Sequence, residues 1–68
     1  AHPMTRLKER RTNCSLSQSE LAAESGVSLR QIQLFEQKQR NINNAATISI
    51  YRLSKALHCS MEDLIELN

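Results

Sequence analysis

The sequence predicts an all-α fold, and three observations predict it. The 68 residues hold a single glycine and a single proline, too few for the turns that bound a set of strands. Serine recurs in Ser-x-x-acid or Ser-x-x-amide sets, at Ser17-Gln18-Ser19-Glu20, Ser28-Leu29-Arg30-Gln31 and Ser60-Met61-Glu62-Asp63. In each, the hydroxyl can accept from an orphan amide at a helix start while the later side chain reaches back. Apolar residues follow each set at helical rather than alternating spacing.

Five short helices are expected, at about 4–13, 17–25, 28–37, 44–57 and 60–67. Leu7 supports the first, Leu21 and Ala22 the second, and Ile32 and Phe35 the third. The fourth carries Ile48, Tyr51, Leu53, Ala56 and Leu57, and the fifth Met61, Leu64, Ile65 and Leu67. Between the third and fourth, Lys38 to Asn44 shows no period and reads as a loop, with Ile42 plugging the edge of the core.

This length makes one small domain over 1–68, with no room for a second core. The three residues before Met4 are open to reading as an expression remnant. Hydrophobic residues are 40% of the chain, yet Phe35 and Tyr51 are its only aromatics, so the core must be aliphatic and modest. A pocket that encloses a small-molecule substrate is not expected, nor is any cofactor. No apolar run approaches the roughly 20 residues that cross a bilayer, and no signal-peptide pattern opens the chain. A soluble, cytoplasmic protein without membrane contact is the expectation.

Cys14 and Cys59 lack the spacing of a zinc site, even with His2 and His58 counted, so no metal is expected. A disulfide would require suitable geometry; reduced, structural thiols are the favoured reading. The net charge is +2, distributed unevenly. Residues 1–40 hold seven Lys/Arg against four Asp/Glu, and residues 41–68 two against three. A positive N-terminal part suits a polyanionic partner without requiring one.

Gly26 falls between the second and third helices. A helix commonly ends on a residue at positive φ, which glycine adopts without a Cβ clash. Val27 would then turn inward and Ser28 cap the next helix. Two helices joined by so short a turn make a helix-turn-helix, here about 17–37, and the small Ala22 would let them approach closely. Turn chemistry alone fits an ordinary helical hairpin equally well.

The third helix separates the two. Ile32 and Phe35 set its buried direction, with Arg30 and Gln37 nearly opposite and Gln33 and Leu34 flanking. Arg and Gln are the side chains that read guanine and adenine edges in the major groove. No acid occurs on this helix before Glu36, which lies back toward the core, as a phosphate-lined groove requires.

From about Leu7 to Leu67, the chain resembles the Cro/phage-repressor-like (XRE-type) helix-turn-helix DNA-binding domains. The resemblance rests on Leu16-Ser17-Gln18, Glu20-Leu21-Ala22, Gly26-Val27-Ser28, Ile32 and Phe35-Glu36. Leu53-Ser54-Lys55-Ala56-Leu57 and Ser60-Met61-Glu62-Asp63-Leu64 extend it. It implies a compact five-helix domain of the lambda-repressor-like type whose third helix enters the major groove. Leu29, Arg30, Gln33 and Leu34 would read bases. Gln18, Ser28, Gln37, Lys38, Arg40 and Asn43 would hold the DNA backbone. Arg11 and Glu36 match positions that form a partly buried ion pair, structural like Ala22, Gly26 and Ile32. Lys38 and Ser15 stand where the family usually has glycine, and Ile42 where it often has proline. The loop after the third helix is therefore expected to follow a different path. Leu34 occupies a position that is usually polar or basic.

These features imply a sequence-specific, double-stranded DNA-binding transcriptional regulator, read as a repressor on a pseudo-palindromic operator. The acidic, leucine-rich end, Glu62 to Leu67, holds more apolar residues than one short helix easily hides: either all pack inward or one or two form a homodimer seam, and a dimer is favoured. The alternative is a protein-interaction module on the same fold, such as an antitoxin or a regulator's partner subunit, with only non-specific DNA affinity. An enzyme is not indicated. The chain shows no credible Ser/Cys–His pairing, no phosphate-binding glycine loop and no paired carboxylates; Glu20 and Glu24 read as capping and surface residues.

Overall fold

Thr5, Ser17 and Ser28 decide where the first three helices of the computed structural model begin. The structure describes residues 4–66. The hydroxyl of Thr5 accepts from the Lys8 amide at 3.1 Å and starts α1, Arg6–Asn13. Ser17 starts α2, Gln18–Ser25, with a complete reciprocal box: its hydroxyl accepts from the Glu20 amide at 3.1 Å, and the Glu20 carboxylate accepts from the Ser17 amide at 2.8 Å. Ser28 starts α3, Leu29–Glu36, by accepting from the Gln31 amide at 3.2 Å. Only the serine half of the expected box is made there.

The fourth helix, α4, spans Thr47–Ala56 and so begins three residues later than expected. The cause lies in the preceding segment. The Asn41 side chain accepts from the Asn43 amide at 2.9 Å and nucleates a 3-10 turn over Ile42–Asn44, where a loop is predicted. Ala45 and Ala46 are then extended. Ile42 is buried at the core edge, as expected.

The fifth predicted helix is not an α-helix within the described residues. Met61–Asp63 form a single 3-10 turn. The Asp63 carboxylate accepts from the Ser60 amide at 3.1 Å, so the box forms but closes one turn. The expected placement of Leu67, like that of residues 1–3, lies outside the described residues. The described fold is all-α, with four α-helices rather than five.

The core consists of Leu7, Leu21, Val27, Ile32, Phe35, Ile42, Ile50, Leu53, Leu57 and Leu64. α2 packs on both α3 and α4, and the Met61–Asp63 turn packs on α4. α4 differs from expectation in one respect: Ile50, not Ile48 or Tyr51, faces inward. Ile48 is 53% exposed and Tyr51 46% exposed. Positions 50, 53 and 57 form the inward i, i+3, i+7 row, which packing against α2 and the Met61–Asp63 turn selects.

All four helices end through a left-handed residue: Ser15 (φ 59°), Gly26 (φ 77°), Lys38 (φ 61°) and His58 (φ 56°). At three of them the paired bonds of a Schellman motif close the end. Leu16 N–H reaches Arg11 O at 3.2 Å, Gln39 N–H reaches Leu34 O at 3.0 Å, and Cys59 N–H reaches Ser54 O at 3.0 Å. Ser15 and Lys38, which replace family glycines, thus take the conformation that glycine favours.

Candidate nucleic-acid interface

α3 is amphipathic by construction. Ile32 and Phe35 are buried, while Leu29 and Arg30 are exposed and Gln33 and Leu34 half-buried beside them. Its N-terminus is set by the turn through Gly26, whose N–H donates to Ala22 O at 3.0 Å. No heavy atom lies within 4 Å of where a Gly26 Cβ would sit. Conformation, not space, therefore explains the glycine. Val27 is buried, and its amide donates to the Ser25 hydroxyl at 3.1 Å. Ala22 sits half-buried against the core.

The other end of α3 is fixed by an ion-pair network. Arg11 Nε donates to Glu36 Oε2 at 2.7 Å and Nη2 to Glu36 Oε1 at 3.0 Å, a bidentate pair. Arg11 Nη1 also donates to Leu16 O at 2.7 Å, and Gln18 Nε2 to Glu36 Oε1 at 3.0 Å. The side chains of Arg11 and Glu36 are only 11% and 3% exposed. The Glu36 carboxylate thus joins α1, α2 and α3, and the Arg11 guanidinium adds the turn before α2. This network also neutralises and buries the only acid on α3, leaving its outer face without negative charge.

The remaining expected contacts divide. Ser28, Gln37, Lys38 and Arg40 are exposed around the two ends of α3. Asn43 is occupied: its Nδ2 donates to Glu66 O and its Oδ1 accepts from Glu66 N–H, both at 2.9 Å. The Glu66 carboxylate in turn accepts from the Arg6 amide at 2.6 Å. This clasp, between residues 23 and 60 positions apart, leaves no local signal in the sequence. Among the described residues, no group of three or more His, Cys, Asp or Glu is placed to hold a metal. No described helix is long and apolar enough to cross a membrane.

The chain matches the family model described as helix-turn-helix over residues 7–64. It belongs to the XRE-type helix-turn-helix family. The fold also resembles that of the restriction-modification controller protein C.AhdI from Aeromonas hydrophila, with a TM-score of 0.76 at 35% identity. The likeness covers 88% of this chain and 86% of that one. No curated protein sequence matches the chain. Family and fold are those of DNA-binding transcription regulators rather than enzymes. As a helix-turn-helix protein, the chain has α2 and α3 as its two motif helices, with α3 in the position of the recognition helix.

Proposed function

We propose that this protein is a sequence-specific transcriptional repressor that binds a pseudo-palindromic DNA operator as a homodimer. The observation that carries the reading is the outer face of α3, which presents Arg30 with Leu29, Gln33 and Leu34 while Glu36 is buried and paired with Arg11. In a major groove, Arg30 would take guanine O6 and N7, and Gln33 an adenine edge. Leu29 and Leu34 would meet thymine methyl groups. The likeness to a restriction-modification controller supports a regulatory role for such readout.

Ser28, Gln37, Lys38 and Arg40 would hold phosphates. Ser28 still has its hydroxyl proton to donate, because its cap bond uses only an oxygen lone pair. Gln18 spends one amide hydrogen on Glu36 and keeps a second for a phosphate. Asn43 likewise spends one amide hydrogen on Glu66 O and keeps a second, though its side chain is held against Glu66. The dimer seam moves from the C-terminal leucines to α4. Leu64 is fully buried within the protomer, whereas Ile48 and Tyr51 stand exposed one turn apart. A two-fold through that face would set two recognition helices about 34 Å apart, one turn of duplex.

Selection of bound sites from a random duplex pool tests the proposal, followed by affinities for the winner and a scrambled duplex across salt concentrations. An inverted repeat bound roughly 10³-fold above scrambled DNA is the expected result. Failure to enrich any motif, with weak and steeply salt-dependent binding, would hand the α3 face to a protein partner instead.

A further inference from the structure

The two cysteines, 45 residues apart in sequence, both lie where α1 and α4 end, the Cys14 thiol on a carbonyl two residues before Cys59. Cys14 caps α1 and turns its thiol toward the last turn of α4, donating to Leu57 O at 3.6 Å. Leu57 caps α4, and the left-handed His58 then folds the chain back so that the Cys59 amide bonds Ser54 O at 3.0 Å. Both thiols are half-buried and unbridged, and both pack against the same core cluster. Arg10 and Asp63 pair at 3.5 Å beside them. The Cys59 thiol is pushed above its usual range first by burial, then by the Asp63 charge, with Cys14 close enough to add to the effect and Arg10 opposing it.

We propose that Cys14 and Cys59 are a reversible dithiol switch whose substrate class is the low-molecular-weight disulfide. The Cys14 thiolate attacks one sulfur of the small disulfide, forming a mixed disulfide and expelling one small thiolate. Cys59, after losing its proton to water, attacks the Cys14 sulfur and expels the second. One protein S–S bond forms as two S–H bonds are lost. The small disulfide takes up both electrons and, with two protons, leaves as two thiols. Burial of Cys59 slows the closing step near neutral pH, while the ratio of small disulfide to thiol sets how far the pair closes at equilibrium. Closure straps the α1–α2 turn to the segment after α4 and shortens the unfolded chain's free loop. This inference is independent of what the α3 face binds.

The test uses the whole chain at low concentration, equilibrated with graded ratios of oxidised to reduced glutathione. Thiols are trapped by alkylation, and mass and melting temperature are measured. The expected product is a monomer about 2 Da lighter that takes up no alkylating agent. Its Tm should lie about 10 °C or more above that of the reduced protein. Cys14→Ser and Cys59→Ser should each stop at a mixed disulfide or remain reduced, with no closed form. Glutathione adducts without ring closure, or bridges only between chains, would overturn the proposal. So would a closed form that melts no higher than the reduced protein. The wild-type mass alone decides the matter if either variant folds poorly.

Discussion

The turn before α3 and the turn after it both pass through a left-handed residue, yet one is Gly26 and the other Lys38. The space around Gly26 would admit a Cβ, so glycine there saves only the conformational cost, about 1–2 kcal/mol for an L-residue. At Lys38 the same cost is accepted. The difference fits the two turns' duties in the proposed complex. The first only orients α3 against α2, whereas the second carries Lys38 and Arg40 at the exposed end of the recognition helix. In the proposed complex the side chain at Lys38 would hold a phosphate, whereas Ser15 and His58 accept the same backbone without that duty.

Between the two turns, the inner and outer faces of α3 differ in the same way. The inner face is locked by Arg11, Gln18 and Glu36; the outer face offers its polar groups to solvent. Breaking the lock should have the largest effect of any substitution here. Glu36→Ala leaves Arg11 buried without its partner, and about 3 kcal/mol or more of stability should be lost. A chemical denaturation midpoint close to wild type would show that the network is dispensable.

Gly26→Val should cost about 1–2 kcal/mol through the left-handed backbone alone; an unaltered melting temperature contradicts the turn as described. Lys38→Gly runs the comparison backwards. Relieved strain less the added freedom of the unfolded chain should stabilise the fold by about 0.5–1 kcal/mol. At the same time DNA affinity should fall alike on every sequence, with a salt slope shallower by about one unit. A change of sequence preference would instead make Lys38 a base reader.

The smallest effect concerns the Met61–Asp63 turn. Backbone and side-chain bonds from Ser60 hold the Asp63 carboxyl below its ordinary value of 3.8. Its contribution is therefore present at neutral pH and is lost as pH falls below that value. Asp63→Asn should flatten this part of the acid-unfolding profile. An identical profile would assign the acid sensitivity elsewhere.

Much of this arrangement was legible from single residues. Ser17 and Ser28 mark helix starts because a hydroxyl before an apolar period has one dominant use, and Gly26 marks the turn between them. The Arg11–Glu36 pair, 25 residues apart, was reachable only through the family resemblance. Other features depend on partners that no local pattern specifies. Asn41 converts part of the predicted loop into a 3-10 turn and thereby delays α4, and tertiary packing turns Ile50 inward with Leu53 and Leu57 while Ile48 and Tyr51 stay exposed. Asn43 reads as a phosphate contact in an exposed loop, and the structure adds a pairing with the Glu66 backbone that no local pattern specifies. The leucine-rich end suggested a short helix over 60–67, yet Leu64 finds the core after a single 3-10 turn.

The most direct test of the account compares wild type with Arg30→Ala on the selected operator and on scrambled duplex at one salt concentration, with melting curves alongside. The outer face of α3 reads bases if the operator affinity falls by about 5–150-fold, equivalent to 1–3 kcal/mol. Scrambled binding should weaken far less, and the melting temperature should stay in place. Equal losses on both duplexes, or no loss on either, would contradict base readout by Arg30.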